Sequence, residues 1–179
     1  MTSGERVAAR AAVTLVQLNE AAERVLSLCR ARSLTIATAE SCTGGLLAAT
    51  LTEIAGSSEV FERGFVTYSN VAKAAMLGVP ANILDRHGAV SQETAEAMTA
   101  GALAHSPAHI AVAITGIAGP TGGSKDKPVG LVYFAAAARG GTLIAREKRF
   151  GDIGRRQVRL ASVAEALALL EALATGAGA

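Results

Sequence analysis

Tryptophan is absent from this sequence, and only six aromatic side chains are present, two Tyr and four Phe. Basic clusters are missing too. The formal charge of +2 comes from Arg and Lys spread along the whole chain, which leaves no electrostatic footprint for nucleic acid. Long hydrophobic runs are equally scarce: Thr, Gly, Arg or Glu interrupts each one well before the roughly 18 residues a membrane span requires. A soluble chain without a membrane partner is expected. Near the start, Glu5, Arg6 and Arg10 surround short apolar pieces, and "AAVTLV" is too short for the apolar core of a secretory signal. The expected location is the cytoplasm. The two cysteines, Cys29 and Cys42, form neither a disulfide framework nor a metal-ligand spacing, so zinc is not indicated.

What is present is a chain of 179 residues, an ordinary length for one domain with a real core. Residues 1–13 read as a loose tail and 14–175 as the domain. From Thr14 to Arg32, apolar residues recur at Leu15, Leu18, Ala22, Val25, Leu26 and Cys29, the spacing of an amphipathic helix. "SLTIATA" (33–39) reads as a buried strand, and "GGLLAATLTEIAG" (44–56) as a helix ending at Gly56. A strand over 62–70 and a short helix over 71–77 follow, the latter ended by Gly78 and Pro80. Ser91, with Glu93 or Thr94 behind it, suggests a capping box for a helix over 90–106. A continuous apolar strand over 109–116 comes next. Strands 130–138 and 142–150 form a hairpin through Arg139, Gly140 and Gly141, and a closing helix spans 155–174. That helix is apolar nearly all round, which predicts burial by the core on one side and by a second subunit on the other, hence a homo-oligomer.

Alternating strands and helices with one terminal hairpin predict a three-layer α/β/α sandwich around a mixed, mainly parallel sheet. Ligands in such sheets collect at the carboxyl ends of strands. The turns at 40–45, 69–73 and 115–124 qualify.

Ser41, between a strand and a helix, has two readings. It caps the helix, as most serines at such positions do, or it is a nucleophile beside the amides around Thr43, Gly44 and Gly45, which would form an oxyanion site. A serine nucleophile needs a base. His105 and His109 lie at the wrong end of their strand, leaving His87 as the one candidate histidine. The alternative is Lys73 in the apolar setting "VAKAAML", where loss of hydration would lower its pKa and let it take the serine proton. A solvated helix lysine is the competing reading. Tyr68 either ends a strand at the rim or relays a proton between the pair. The loop "TGIAGPTGGSKDKPVG" (115–130) is neither a Walker loop nor a dinucleotide fingerprint. It still offers amides and hydroxyls to a phosphate or ribose.

Taken together, "TAESCTGG", "SSEVFERGFVTYSNVAKAAMLGV", "HGAVSQETAEAM", "ITGIAGPTGG" and "KPVGLVYFA" resemble the C-terminal domain family of competence/damage-inducible CinA proteins. The stand-alone members of that family are nicotinamide-nucleotide amidases. The resemblance runs from about Ala21 to about Leu170. It implies hydrolysis of nicotinamide mononucleotide (NMN) to nicotinate mononucleotide and ammonia within pyridine-nucleotide salvage, with no metal or organic cofactor. It carries the nucleophile onto Ser41, the base onto Lys73 and an assisting hydroxyl onto Tyr68. Thr43, Gly44, Gly45, Asn70, Thr115, Gly116 and Gly119 become the expected substrate-facing set.

One departure stands out. Many family members carry an arginine directly after the Gly-Asp that follows the last strand, whereas "FGDIGRRQVR" has Ile153 there, with Arg155 and Arg156 following. A guanidinium suits a phosphate, and Arg155 is the substitute this sequence offers. Two other readings stand beside the Ser–Lys amidase: a non-catalytic nucleotide-binding module, which the Ile153 departure permits, and an enzyme whose nucleophile is Cys42.

Overall fold

A computed structural model describes residues 12–176. The elements in chain order are α1 (Leu15–Ala31), β1 (Ile36–Glu40), α2 (Leu46–Thr52), β2 (Phe61–Val66), α3 (Asn70–Leu77), α4 (Ala81–His87), α5 (Gln92–Ala104), β3 (Ile110–Gly116), β4 (Leu131–Ala138), β5 (Leu143–Arg149) and α6 (Arg155–Thr175). The strands form one sheet in the order β2-β1-β3-β4-β5. β1 pairs parallel with β2 and β3, β4 runs antiparallel to β3, and β5 antiparallel to β4. Only β4 therefore opposes the other strands, as expected for a mixed sheet of mainly one direction.

Side-chain size sorts the two faces of the sheet. Ile36, Ile110, Val112, Ile114, Val132 and Phe134 face α1 and α6, whereas Ala37, Ala39, Ala111 and Ala113 face α5 with Met98 and Ala102. Because strand side chains alternate between faces, this big-small alternation fills a thick layer on one side and lets α5 lie close on the other. The α5 side is tight enough that a Cβ on Gly101 would stand 2.0 Å from the Leu77 carbonyl oxygen. That contact locks α3 against α5.

Several boundaries differ from expectation, each for a local reason. α2 starts at Leu46 rather than 44 because Gly44 and Gly45 take positive φ, 58° and 92°, outside the helical region. It stops at Thr52, and a 3-10 turn over Ser57–Glu59 follows. The strand expected over 62–70 ends at Val66, since Ser69 leaves the sheet to cap α3 by accepting the N–H of Ala72. α4 was not expected. Pro80, expected only to end the preceding helix, stands at the N-cap of the next one, a start signal as well as a stop. Ser91 accepts the N–H of Thr94 at the head of α5, while the reciprocal capping box in this chain is at α1, between Thr14 and Gln17.

The expected tail lies mostly outside the described residues, but Val13 is held: its N–H donates to Gln157 Oε1 and its carbonyl accepts from Gln157 Nε2. The apolar surface of α6 is also accounted for within the chain. The sheet takes one side and α1 packs along the other.

Candidate active site

β1, β2 and β3 run in one direction, so their carboxyl ends share one edge of the sheet. The turns after them bring Ser41, Tyr68 and Gly116 to a hollow of about 240 Å³. Its walls include Lys73 from α3, Ala89 and Val90 from the α4–α5 turn, Ile117 to Gly119 with Thr121 and Gly122 from the glycine-rich loop, and Arg155 from α6.

Lys73 is the fourth residue of α3 and lies one turn before Leu77, so both fall on the buried face of that helix. It is 1% exposed, which removes the solvated reading. Its Nζ donates to Ser41 Oγ at 3.0 Å and to the Thr67 carbonyl at 2.9 Å. No ion pair forms there: among the described residues no carboxylate lies within 4.0 Å of that nitrogen. Burial accordingly lowers the Lys73 pKa from its usual 10.5, and the weaker pull of Cys42 opposes this. Ser41 is 8% exposed and opens onto the hollow. A serine hydroxyl thus meets an amine pushed toward its neutral form, a pairing suited to proton transfer.

Cys42 also lines the hollow, but burial pushes its thiol up to about 12; its own backbone N–H and the charges of Lys73 and Arg159 oppose that shift, while Glu40 adds to it. A thiol so placed stays protonated at neutral pH and is a poor nucleophile.

Two of the three expected oxyanion amides, those of Gly44 and Gly45, are taken. Glu40 Oε2 accepts the N–H of Gly45 and Leu47, each at 3.0 Å, and Oε1 accepts that of Ala48 at 2.8 Å. Gly44 donates to the Ser41 carbonyl. What remains are the N–H groups of Cys42 and Thr43, which find no other residue as acceptor among the described ones. Of the expected set only Thr43 keeps a free amide, and Cys42, one residue before it, supplies the other. Thr43, Gly44, Gly45 and Asn70 do not line the hollow, whereas Thr115, Gly116 and Gly119 do. The Thr115 hydroxyl donates to the Ala89 carbonyl at 2.6 Å, tying the strand end to the opposite wall.

Tyr68 reaches the hollow but not the pair. The residue is 61% exposed, and its hydroxyl accepts from Arg155 Nη2 at 2.9 Å, while Arg155 Nη1 donates to the Gly119 carbonyl at 2.9 Å. Arg155 thus bridges the β2–α3 turn and the glycine-rich loop across the mouth. Ile153 is half exposed and absent from the lining, and Arg156 faces a neighbouring hollow. None of the histidines takes part: His109 bonds Thr35, His105 bonds the Gly101 carbonyl, and His87 faces Glu93.

Sequence reasoning missed Glu40, Thr67 and Arg159. The signal for Glu40 was there, an acid just before a helix start, where its charge suits the exposed N–H groups. Thr67 acts through its backbone and leaves no residue-type signal. Arg159, whose Nη2 donates to the Thr43 carbonyl at 2.6 Å, sits on a helix in no motif that singles it out.

Residues 18–174 match the family model for the CinA C-terminal domain. A nicotinamide-nucleotide amidohydrolase PncC from Escherichia coli K12 is 52% identical over 155 residues, 86% of this chain and 93% of that protein. A CinA-like protein of Mycolicibacterium vanbaalenii is 51% identical over 156 residues, 87% of this chain but 36% of the longer relative. Among solved structures, the competence/damage inducible protein CihA from Agrobacterium tumefaciens superposes with a TM-score of 0.86 at 56% identity, covering 87% of this chain and 94% of the other.

Proposed function

The chain belongs to the CinA C-terminal domain family, and on that premise we propose that it is a nicotinamide-nucleotide amidase using a Ser–Lys pair. The observation that carries the proposal is the 3.0 Å contact of a buried Lys73 amine, without a carboxylate neighbour, and Ser41 Oγ at the floor of an open hollow. The E. coli relative named for this activity is matched over 93% of its length.

In the mechanism, the neutral amine of Lys73 gives one N–H to the Thr67 carbonyl and turns its lone pair to the Ser41 hydroxyl. Ser41 Oγ attacks the carboxamide carbon of NMN and its proton passes to Lys73. The carbonyl π electrons move to oxygen, and the N–H of Cys42, a residue that lines the hollow, holds the resulting anion. Collapse breaks the carbon–nitrogen bond, and the amide nitrogen leaves as ammonia with the proton from Lys73. Water then attacks the acyl-enzyme, gives a proton to Lys73, and releases the nicotinate product as Ser41 Oγ is reprotonated. These steps require no metal or organic cofactor. Arg155, with donors at the mouth, binds the substrate phosphate. Tyr68 holds that arginine rather than the proton relay.

Residues 14–175 serve as one catalytic domain, acting in the cytoplasm in pyridine-nucleotide salvage without nucleic acid. A nucleotide-binding module without turnover, which the Ile153 departure permits, would keep the same arginine, and turnover separates it from the amidase.

The test is ammonia release from NMN by the purified protein beside Ser41→Ala and Lys73→Ala. Turnover in the wild type and its loss in both folded variants is the expected result. A wild type that binds NMN without releasing ammonia would reject the amidase.

A further inference from the structure

Glu40 ends β1, directly before Ser41, and is 1% exposed. A buried carboxylate is costly unless its oxygens are satisfied, and here no cation lies within 4.0 Å among the described residues. Three backbone N–H groups satisfy it instead, those of Gly45, Leu47 and Ala48. A serine or aspartate at the N-cap itself is the usual way to close a helix start. At α2 that position holds Gly45 in a left-handed conformation with no side chain to cap, and the capping group comes from five residues earlier in the chain.

The backbone of the same residue reaches the base. The Glu40 carbonyl accepts the N–H of Thr67 at 2.8 Å, and the Thr67 carbonyl accepts from Lys73 Nζ. The side chain of Glu40 therefore fixes the turn that carries Ser41, while its peptide fixes the one that receives Lys73. Arg159 grips the same turn from α6 through the Thr43 carbonyl.

We propose that Glu40 is a positioning residue for the reaction. By bonding the amides of Gly45, Leu47 and Ala48, it holds the Ser41–Gly45 turn where Ser41 Oγ meets Lys73 Nζ and the Cys42 and Thr43 amides stay unclaimed, with Arg159 as the second grip. The proposal rests on the reading of Ser41 as nucleophile.

The experiment compares wild type, Glu40→Gln and Arg159→Gln, with Ser41→Ala as the blank. It reads the rate of Ser41 phosphonylation by a fluorophosphonate, kcat and KM for ammonia release from NMN, and circular dichroism. Glutamine keeps the size of Glu40 but has one acceptor oxygen and turns an NH₂ toward N–H donors. Misplacing a reacting group by about 1 Å costs about 100-fold. Folded Glu40→Gln should therefore lose about that factor in both phosphonylation and kcat, with KM little changed. A merely structural role would lower Tm and leave both rates intact, and a folded Glu40→Gln that reacts at the wild-type rate overturns the proposal.

Should Glu40→Gln fail to fold, Arg159→Gln decides, because the half-buried Arg159 lies on a helix of 21 residues and its loss leaves the core in place. Its phosphonylation should slow by about tenfold or more with the loss of one hydrogen bond from a charged group, and an unchanged rate overturns the proposal. Labelling decides this question whether or not NMN is turned over. A wild type labelled at Ser41 that leaves NMN intact rejects the substrate and leaves the comparison of variants to stand. A wild type not labelled at Ser41 overturns the positioning role together with the nucleophile on which it rests.

Discussion

Lys73 Nζ and Ser41 Oγ lie 3.0 Å apart across 32 residues of chain. The meeting depends on parallel pairing of β1 with β2, which sets Ala39 beside Phe65 and Glu40 beside Val66, so that the turns after the two strands start level. α3 then folds back and delivers its buried face to the serine. Local sequence supplies the two residue types, and the sheet register supplies the distance.

Three substitutions separate the chemistry at this pair. Ser41→Ala and Lys73→Ala should each reduce kcat for ammonia release by about 10³-fold or more, since removing either member of a unit costs about as much as removing both. Cys42→Ala should keep kcat within about threefold, because a thiol with a pKa near 12 contributes no thiolate at neutral pH. Steady-state kinetics of the three variants checks this, and a Cys42→Ala as dead as Ser41→Ala would move the nucleophile.

The pH dependence follows from the direction of the Lys73 shift. Its folded pKa is below 10.5 through burial, while the unfolded chain keeps a value of about 10.4. Between the two, the unfolded state binds more protons, so stability rises with pH across that window, and the penalty is complete below the folded value. Lys73→Met should therefore gain on the wild type at neutral pH, and its advantage should shrink as pH climbs toward that of free lysine. Chemical denaturation of both proteins at several pH values measures it. The kcat/KM of the wild type should rise with pH through the same folded pKa, as the amine loses its proton. A profile flat from weakly acidic to alkaline pH would contradict a lysine base.

Much of this was legible in the chain. β-branched and alanine-rich runs bounded by glycine marked the strands, and "VAKAAML" marked an apolar setting for Lys73, although Val71, Ala74, Ala75 and Met76 are exposed and Lys73 is buried through the face it shares with Leu77. Other features are three-dimensional by nature. Whether an amide at a helix start is free depends on which side chain bonds it, and Glu40 claims amides up to eight positions away. The covering of α6 by α1 joins the two ends of the fold and cannot be read from the α6 pattern, because an apolar face looks the same whether a helix of the same chain or a second subunit covers it.

Arg155 should control affinity rather than chemistry. It offers guanidinium donors at the mouth, held by Tyr68 and the Gly119 carbonyl, and charged hydrogen bonds contribute about 1.5–3 kcal/mol. Arg155→Ala should raise KM for NMN by about 10- to 100-fold with a smaller change in kcat. The same variant should hardly affect hydrolysis of nicotinamide riboside, which lacks the phosphate. Tyr68→Phe removes only the hydroxyl that steadies the arginine, so its KM change should be smaller and in the same direction. Equal losses on both substrates in Arg155→Ala would mean that the arginine shapes the hollow instead of reading phosphate.

Packing far from the hollow should reach the pair through Gly101. A Cβ there would meet the Leu77 carbonyl oxygen at 2.0 Å and Leu77 Cβ at 2.9 Å, backbone contacts that no rotamer change can relieve. α3 must move off α5, at about 1–3 kcal/mol by the usual cost of overpacking. For a chain of this size that is a fall in Tm of roughly 2–12 °C. Leu77 and Lys73 share one face of α3, so the displacement carries the amine away from Ser41, and kcat should drop by more than the loss of folded protein explains. Gly141→Ala is the control, since its Cβ meets Ala138 at an ordinary 3.6 Å and should change Tm little. Thermal melts and kinetics at a temperature where both variants are folded separate the two effects: a Gly101→Ala that melts early yet turns over at the wild-type kcat would show that α3 yields without moving Lys73.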